Sequence, residues 1–148
     1  MRKIVWIMMS LGLLIPCNAL PVLAGDFVGI VKSVKGSAII ERNSKPIAAM
    51  QGMELSQGDV VKTDQHSAIA LVFSDDTLIS MGPTTKVAID EYVFKPLEKR
   101  MAFVTRVIHG TISFLSGQLE KLAPKSVQLI LPTATIGVRG THVLIKVD

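Results

Sequence analysis

Residues that favour turns recur at short intervals along most of this 148-residue chain, and this spacing limits its possible folds more than any other feature. The intervals between them are rich in Val, Ile, Leu, Phe and Thr, which are types that suit β-strands. Many short strands separated by turns are typical of a sandwich, a barrel or a roll. The predicted strands cover residues 27–34, 37–41, 60–63, 67–73, 77–81, 86–89, 103–108, 111–115 and 127–131.

The segment 68–73, Ala-Ile-Ala-Leu-Val-Phe, shows the alternation expected of a strand. Successive side chains of a strand point to opposite faces, so Ile69, Leu71 and Phe73 share one face and smaller apolar residues share the other. Because both faces are apolar, we expect this strand to lie inside a sheet.

Residues 25–148 are therefore predicted to form a single compact all-β domain of many short strands, either roll-like or solenoid-like, or a sandwich. The polar stretch 94–101 is predicted to be a surface loop that joins two sub-blocks of this domain. At most one helical turn is expected, near residues 116–122.

The amino terminus has the three parts of a secretory signal peptide. Arg2 and Lys3 supply positive charge, residues 4–15 are mostly apolar, and residues 22–24, Val-Leu-Ala, suit a signal peptidase. We therefore predict that residues 1–24 are a cleaved signal peptide and that the protein is periplasmic or secreted.

Two other interpretations of the amino terminus remain open. An uncleaved anchor agrees with the lack of charge between Lys3 and Asp26, although Pro16 and Pro21 would interrupt an apolar helix. A lipid anchor would need Cys17, which follows a proline where a lipobox has a small residue. Cys17 is the only cysteine, so cleavage would leave a domain without thiols or disulfides.

Residues 132–143 read Pro-Thr-Ala-Thr-Ile-Gly-Val-Arg-Gly-Thr-His-Val. β-Branched residues flank the Gly-Val-Arg-Gly core, which predicts a strand, a turn that needs glycine, and a second strand. We expect Gly137 and Gly140 to adopt backbone conformations that other residues avoid, with Arg139 at the bend and Thr141 at the start of the second strand.

This closing segment resembles the signature of the FecR-type domain, an extracytoplasmic bacterial module. Segment 55–63, Leu-Ser-Gln-Gly-Asp-Val-Val-Lys-Thr, is similar to the family's L-x-x-G-D-x-V-x-T pattern, and this similarity makes Gly58 and Asp59 motif residues. Two departures are that Thr77 stands where the family usually has glycine and that the sequence stops at Asp148, earlier than in many members. Further similarity is found in segments 29–36, 68–78 and 107–111.

The resemblance implies an all-β extracytoplasmic domain that contacts another protein or a glycan. The best-known members are inner-membrane regulators that hold a sigma factor in the cytoplasm and contact an outer-membrane receptor in the periplasm. Only three residues precede the apolar run of this chain. We therefore expect no cytoplasmic half and no direct transmission to a sigma factor.

Candidate chemical sites are weak. Asp59 and the pair Asp75-Asp76 could suggest calcium, but acids between strands more often cap turns with their own side chains. No hydroxyl lies in a recognisable nucleophile motif. We therefore expect the protein to have no catalytic activity and to bind no metal ion and no cofactor. The histidines lack metal-ligand spacing and are His66, His109 and His142.

Arg139 has two interpretations. A structural one ties its guanidinium to carbonyls of the turn or to an acid such as Asp59 or Asp90. A functional one lets it project from the bend to meet a carboxylate on a partner. The structural role is preferred, because one cation between two glycines suits a locked backbone better than a broad interface.

The function that we expect is that of a non-catalytic protein-interaction module of the bacterial envelope, with a signalling role left open. Another envelope protein is the expected partner. The alternative is a glycan or cell-wall binding module, which usually presents exposed aromatics, and few aromatic residues follow residue 24. The basic residues are scattered along the sequence, which argues against nucleic-acid binding. No stable membrane insertion is expected after signal cleavage.

The last segment, 141–148, alternates like a strand whose neighbour is missing. An unpaired edge offers backbone donors and acceptors to an incoming strand. We expect docking or self-association there, with Val143, Ile145 and Val147 facing the core or the partner. Proline at Ile145 is expected to remove an edge donor and weaken association, and the domain should remain folded if that amide points outward.

Overall fold

The computed structural model describes residues 26–140 and 142–148, so the predicted signal peptide lies outside the described residues. The described part contains one five-residue helix, α1 (Gln118–Leu122), and two 3-10 turns at Pro96–Glu98 and Pro124–Ser126. Its strands are β1 (Phe27–Lys35), β2 (Ala38–Arg42), β3 (Lys45–Ala48), β4 (Glu54–Ser56), β5 (Val60–Thr63), β6 (Ala68–Phe73), β7 (Leu78–Met81), β8 (Lys86–Lys95), β9 (Arg100–Leu115), β10 (Val127–Ile130), β11 (Thr135–Gly137) and β12 (His142–Val147).

The strands form two sheets that share the long strand β9. Sheet A has the order β4-β1-β6-β7-β9-β12, and sheet B has the order β3-β2-β5-β8-β9-β10-β11. All pairs are antiparallel except β9 with β10, which run parallel after the crossover through α1. The all-β single domain predicted from the sequence is confirmed, and β6 lies inside its sheet between β1 and β7.

Strand β9 passes from sheet B to sheet A at Gly110. The sequence pattern predicted two strands separated by a turn here, and that prediction is wrong because the strand continues through the glycine. Gly110 has φ of 99°, and a Cβ placed on it would come within 2.5 Å of the Thr85 Cα. The position therefore needs glycine, both for its backbone angle and for the close approach of Thr85.

The stretch 94–101 is only partly a loop. β8 continues to Lys95 and β9 begins at Arg100, so a long hairpin closes over the 3-10 turn Pro96–Glu98. Charged residues misled the prediction, because side chains of a hairpin that extends into solvent need not be apolar on either face.

An aromatic cluster fills the space between the sheets. Phe73 of sheet A lies 4.6 Å from Phe103 and 5.3 Å from Tyr92, both of sheet B, measured between ring centroids. Phe114, from the sheet A part of β9, lies 5.9 Å from Phe103. All four rings are buried. The two sheets thus pack face to face, and each has one face on this core and one outer face.

No helix among the described residues is long and apolar enough to cross a membrane.

Candidate interaction surfaces

Gly58 and Asp59 lie in the turn between β4 and β5, and Asp59 is fully buried. Arg42 of β2 donates two hydrogen bonds to its carboxylate, from Nε to Oδ1 at 2.9 Å and from Nη2 to Oδ2 at 2.7 Å. The Ser56 N–H donates a third at 2.9 Å. The bond to Asp59 raises the pKa of Arg42. The carboxylate is therefore occupied by donors of its own chain and fixes the turn to β2.

Asp75 and Asp76 occupy the turn between β6 and β7, where Asp75 is fully buried. Thr77 Oγ1 donates to Asp75 Oδ2 at 2.7 Å, and Tyr92 OH donates to Oδ1 at 3.0 Å. The Leu119 N–H, in the first turn of α1, donates to Oδ2 at 3.0 Å. Asp75 thus caps both the hairpin turn and the helix, and its oxygens point into the protein.

The histidines do not share a site. His109 Nδ1 lies 3.0 Å from the carbonyl oxygen of Thr84, and His142 Nε2 lies 2.7 Å from Ser113 Oγ. His66 is exposed. Within residues 26–140 and 142–148, no group of three His, Cys, Asp or Glu side chains is placed to hold a metal ion.

The two glycines of the closing segment differ. Gly140 has φ of 136°, so it adopts a backbone conformation that favours glycine. Gly137 ends β11 without a positive φ, and a Cβ placed on it would meet nothing within 4 Å. The predicted special conformation is therefore correct at Gly140 and wrong at Gly137. Thr141 lies outside the described residues.

Arg139 is exposed and lines an open groove of about 370 Å³. The acids proposed as its partners are bound by other arginines: Asp59 by Arg42, and Asp90 by Arg106. The interpretation that pairs Arg139 with either acid is therefore wrong.

The outer face of sheet B is charged. Lys62 of β5 pairs with Glu41 of β2, and their hydrogen bond lowers the pKa of Glu41. Arg106 of β9 donates two hydrogen bonds to Asp90, at 2.9 and 2.7 Å. Opposite charges on neighbouring strands satisfy each other, so this face is typical of one that stays in water.

The outer face of sheet A is uncharged at its centre. Ile30, Val72, Leu78 and Leu115 lie directly opposite one another on β1, β6, β7 and β9, forming an apolar row across the sheet. Leu115 is 42% exposed, and the other three are half-buried. We call these four residues the apolar row.

A second row beside it contains small residues and one leucine. Ala70, Ser80, Ser113 and Leu144 lie opposite one another on β6, β7, β9 and β12, and Leu144 is 71% exposed. The ionisable residues that adjoin the two rows include Glu54, opposite Ile30 at one end, and His142, opposite Leu115 at the other. Exposed Lys32 follows Val31 on β1, and Lys35 and Lys146 lie on the next register positions outward.

Strand β12 is an edge of sheet A. Among the described residues it pairs only with β9, in the register Ile145 opposite Ile112. Ile145 is buried, and Val143 and Val147 pack against the core, as the alternation predicted. The expected strand is therefore present, and its second side is open along the described residues.

The sequence interpretation did not identify the apolar row. Its only signal was that both faces of segment 68–73 are apolar, which was attributed to the central position of the strand. The register that aligns Leu78 with Leu115 joins residues 37 positions apart, and the one that aligns Ile30 with Val72 joins residues 42 positions apart. Neither could be derived from local alternation.

Comparison with known proteins identifies one family. The model of the FecR protein family matches residues 59–148, which include Asp59 and the whole closing segment. The match begins after segment 29–36 and after Gly58, so the resemblance noted there stays an expectation. No curated protein and no solved structure matches the chain. Because the family model covers more than half of the 148 residues, this chain belongs to the FecR family.

Proposed function

We propose that this chain is a non-catalytic interaction module of the bacterial envelope that contacts another protein through the outer face of sheet A. Membership in the FecR family indicates a signalling-related domain associated with the extracytoplasmic space. The finer parts of the proposal, an envelope location and a protein partner, rest on the sequence of the amino terminus and on the surface described above.

The observation that carries the proposal is the contrast between the two outer faces. Two ion pairs cross the outer face of sheet B, whereas the apolar row of sheet A leaves four aliphatic side chains partly open to water. Covering such side chains is favourable by about 25 cal/mol for each Å² removed from water. An uncharged apolar surface on a partner protein is the complement that this face fits.

Glycan binding is the second candidate, and one opening favours it. Phe27, which is 54% exposed, and the half-buried Phe94 line an open groove of about 210 Å³ together with Arg100. Sugar rings stack on exposed aromatic faces, but the other aromatics of the described chain are in the core cluster. The protein-contact proposal is therefore the better supported one.

Site-specific photo-crosslinking in cells that naturally make the protein tests the proposal. A photoreactive residue at Leu78 samples the outer face of sheet A, and one at Val104 samples the outer face of sheet B at a position that is also half-buried. We expect a discrete protein adduct from Leu78 and none from Val104, with mass spectrometry identifying the adduct. Absence of any adduct at Leu78, or equal adducts at both positions, would contradict the proposal.

A further inference from the structure

The pairing of β12 with β9 determines which residues of β12 direct their backbone N–H and C=O groups to its free edge. On the neighbouring strand, the Thr111 carbonyl accepts a hydrogen bond from the Gly82 N–H at 2.9 Å. The backbone carbonyl of Thr111 is therefore directed towards the β7 side of β9. The backbone N–H and C=O groups of successive residues point to opposite sides of a strand, so those of Ile112 are directed towards β12. Ile145, which lies opposite Ile112, directs its N–H and C=O back at β9.

The outward groups of β12 consequently belong to the alternate residues His142, Leu144 and Lys146. The expectation that proline at Ile145 removes an edge donor is wrong, because that amide is paired with β9. The residue whose N–H faces the open side at the middle of the strand is Leu144.

We infer that this edge pairs with the same edge of a second copy of the chain, antiparallel and with Ile145 opposite its own counterpart. A two-fold axis at Ile145 makes both edges offer the same outward residues to each other, as an isologous interface requires. This register also pairs all seven residues 142–148.

Charge selects this register. With Ile145 on the axis, His142 lies opposite Asp148 of the second copy, and Lys146 lies opposite Leu144. Shifting the axis to Leu144 would set His142 against Lys146, and shifting it to Lys146 would set two lysines against each other. Two lysines directly opposite one another destabilise a strand pair. Asp148 opposite His142 gives the ring N–H an acceptor, which Lys146 in that position does not offer.

The side chains at this contact are available. The side chain of Asp148 is 90% exposed and lies 3.2 Å from Lys146 Nζ of its own strand. Ser113 Oγ lies 2.7 Å from His142 Nε2, and when this hydroxyl donates to Nε2, the ring carries its proton on Nδ1. That N–H is then free to donate to the Asp148 carboxylate of the second copy.

The end of β12 also has room beside it. An open groove of about 240 Å³ lies between the segment Leu131, Pro132 and Thr133 and the last three residues of the chain. It leaves space for the end of an incoming strand. The contact uses the sheet edge rather than the sheet face, so the inference holds or fails independently of the proposed function.

Complementary charge variants of the isolated protein test the register. His142→Asp alone sets two carboxylates against each other, and Asp148→Lys alone sets a lysine against the histidine. We expect each variant to self-associate at least about tenfold more weakly than the parent protein in analytical ultracentrifugation. In an equimolar mixture one pair sets the introduced aspartate against the introduced lysine, and the other is the parental pair of His142 with Asp148. Heterodimers should therefore form with at least the parental affinity. Native mass spectrometry separates them by mass.

Three results would overturn the inference. They are a parent protein that stays monomeric at all concentrations, single variants that dimerise as well as the parent, and a mixture that gives only the statistical share of heterodimers. Leu144→Pro is the second variant, because it removes an outward N–H without touching the β9 pairing, and it should also abolish the dimer. Circular dichroism confirms that each variant is folded.

Discussion

At the scale of single residues, two arginine–aspartate pairs have the same geometry in different surroundings. Arg42 and Arg106 each bind their partner through Nε at 2.9 Å and Nη2 at 2.7 Å. The side chain of Asp59 is 1% exposed, whereas that of Asp90 is 26% exposed. Water can replace a lost partner at Asp90 but not at Asp59. Burial rather than distance therefore determines how much each pair contributes to the free energy of unfolding.

Replacing each arginine with methionine measures this difference. Arg42→Met leaves a buried carboxylate without its charged partner, so we expect it to lower the free energy of unfolding by about 2 kcal/mol. Arg106→Met is the matched control, and we expect a loss below about 1 kcal/mol. Urea denaturation followed by circular dichroism gives both values. Equal losses would contradict a structural role for the buried pair.

Tyr92 makes the fold sensitive to alkaline pH. Its burial and the neighbouring Asp75 carboxylate raise the pKa of its hydroxyl. Above about pH 10, the ordinary value for tyrosine, the unfolded chain loses this proton while the folded chain keeps it. Stability from this group is therefore complete below about pH 10 and falls as the pH rises further.

Tyr92 is the only tyrosine, so tyrosinate absorbance reports on it alone. In an alkaline titration we expect this absorbance to rise together with the loss of the circular dichroism signal of the folded state. A rise near pH 10 in protein that is still folded would show that the hydroxyl is not protected in the way the structure indicates.

Sequence alone placed Asp59 and Asp75 in turns but could not assign their partners. Arg139 was considered for Asp59 because it is the cation of the most distinctive motif. The structure brings Arg42 there instead, because β2 pairs directly with β5 next to the turn. Partner choice between residues far apart in sequence follows from strand register, which local composition does not encode.

At the scale of strands and turns, the fold requires glycine at position 110 but not at position 137. Gly110→Val places a β-branched residue at φ of 99° against Thr85, so we expect a loss of about 3 kcal/mol in unfolding free energy. Gly137→Val is the control: its position is extended and open, so we expect a change within about 0.5 kcal/mol. Thermal denaturation of both variants measures the difference.

The opposite ranking would mean that the bend of β9 does not depend on glycine. It would also restore the sequence-based expectation that Gly137 is the sensitive position. If both variants lost stability equally, Gly137 would have to be sterically constrained, although a Cβ placed there meets no atom within 4 Å.

Strands with apolar alternation were predictable, and β3, which lacks it, was not. The bounds of β5 were predicted correctly, and those of β6 and β7 to within one residue. β3 was missed because it contains Pro46 and has no buried residue, so it looks like part of a turn. It is an edge strand that pairs only with β2 among the described residues, which is where proline is tolerated.

At the scale of the whole molecule, the two sheets differ in what they offer to their surroundings. Residue types alone predicted the shared core, because alternating apolar residues must be buried somewhere. They did not predict that opposite charges of neighbouring strands would pair on the outer face of sheet B or that the apolar row would form on the outer face of sheet A. That separation arises only when the register of each strand pair is fixed, and it is the basis of the proposed function.

The most direct test of that function compares two exposed leucines in binding to the protein identified by crosslinking. Leu115→Glu places a charge in the apolar row, whereas Leu97→Glu places the same charge at the tip of the β8–β9 hairpin, where Leu97 is fully exposed. By isothermal titration calorimetry, we expect Leu115→Glu to weaken binding at least about tenfold, because a carboxylate would have to leave water to meet an apolar partner surface. We expect Leu97→Glu to bind like the parent. Parental affinity in Leu115→Glu, with the variant folded, would contradict the claim that the outer face of sheet A is the contact surface.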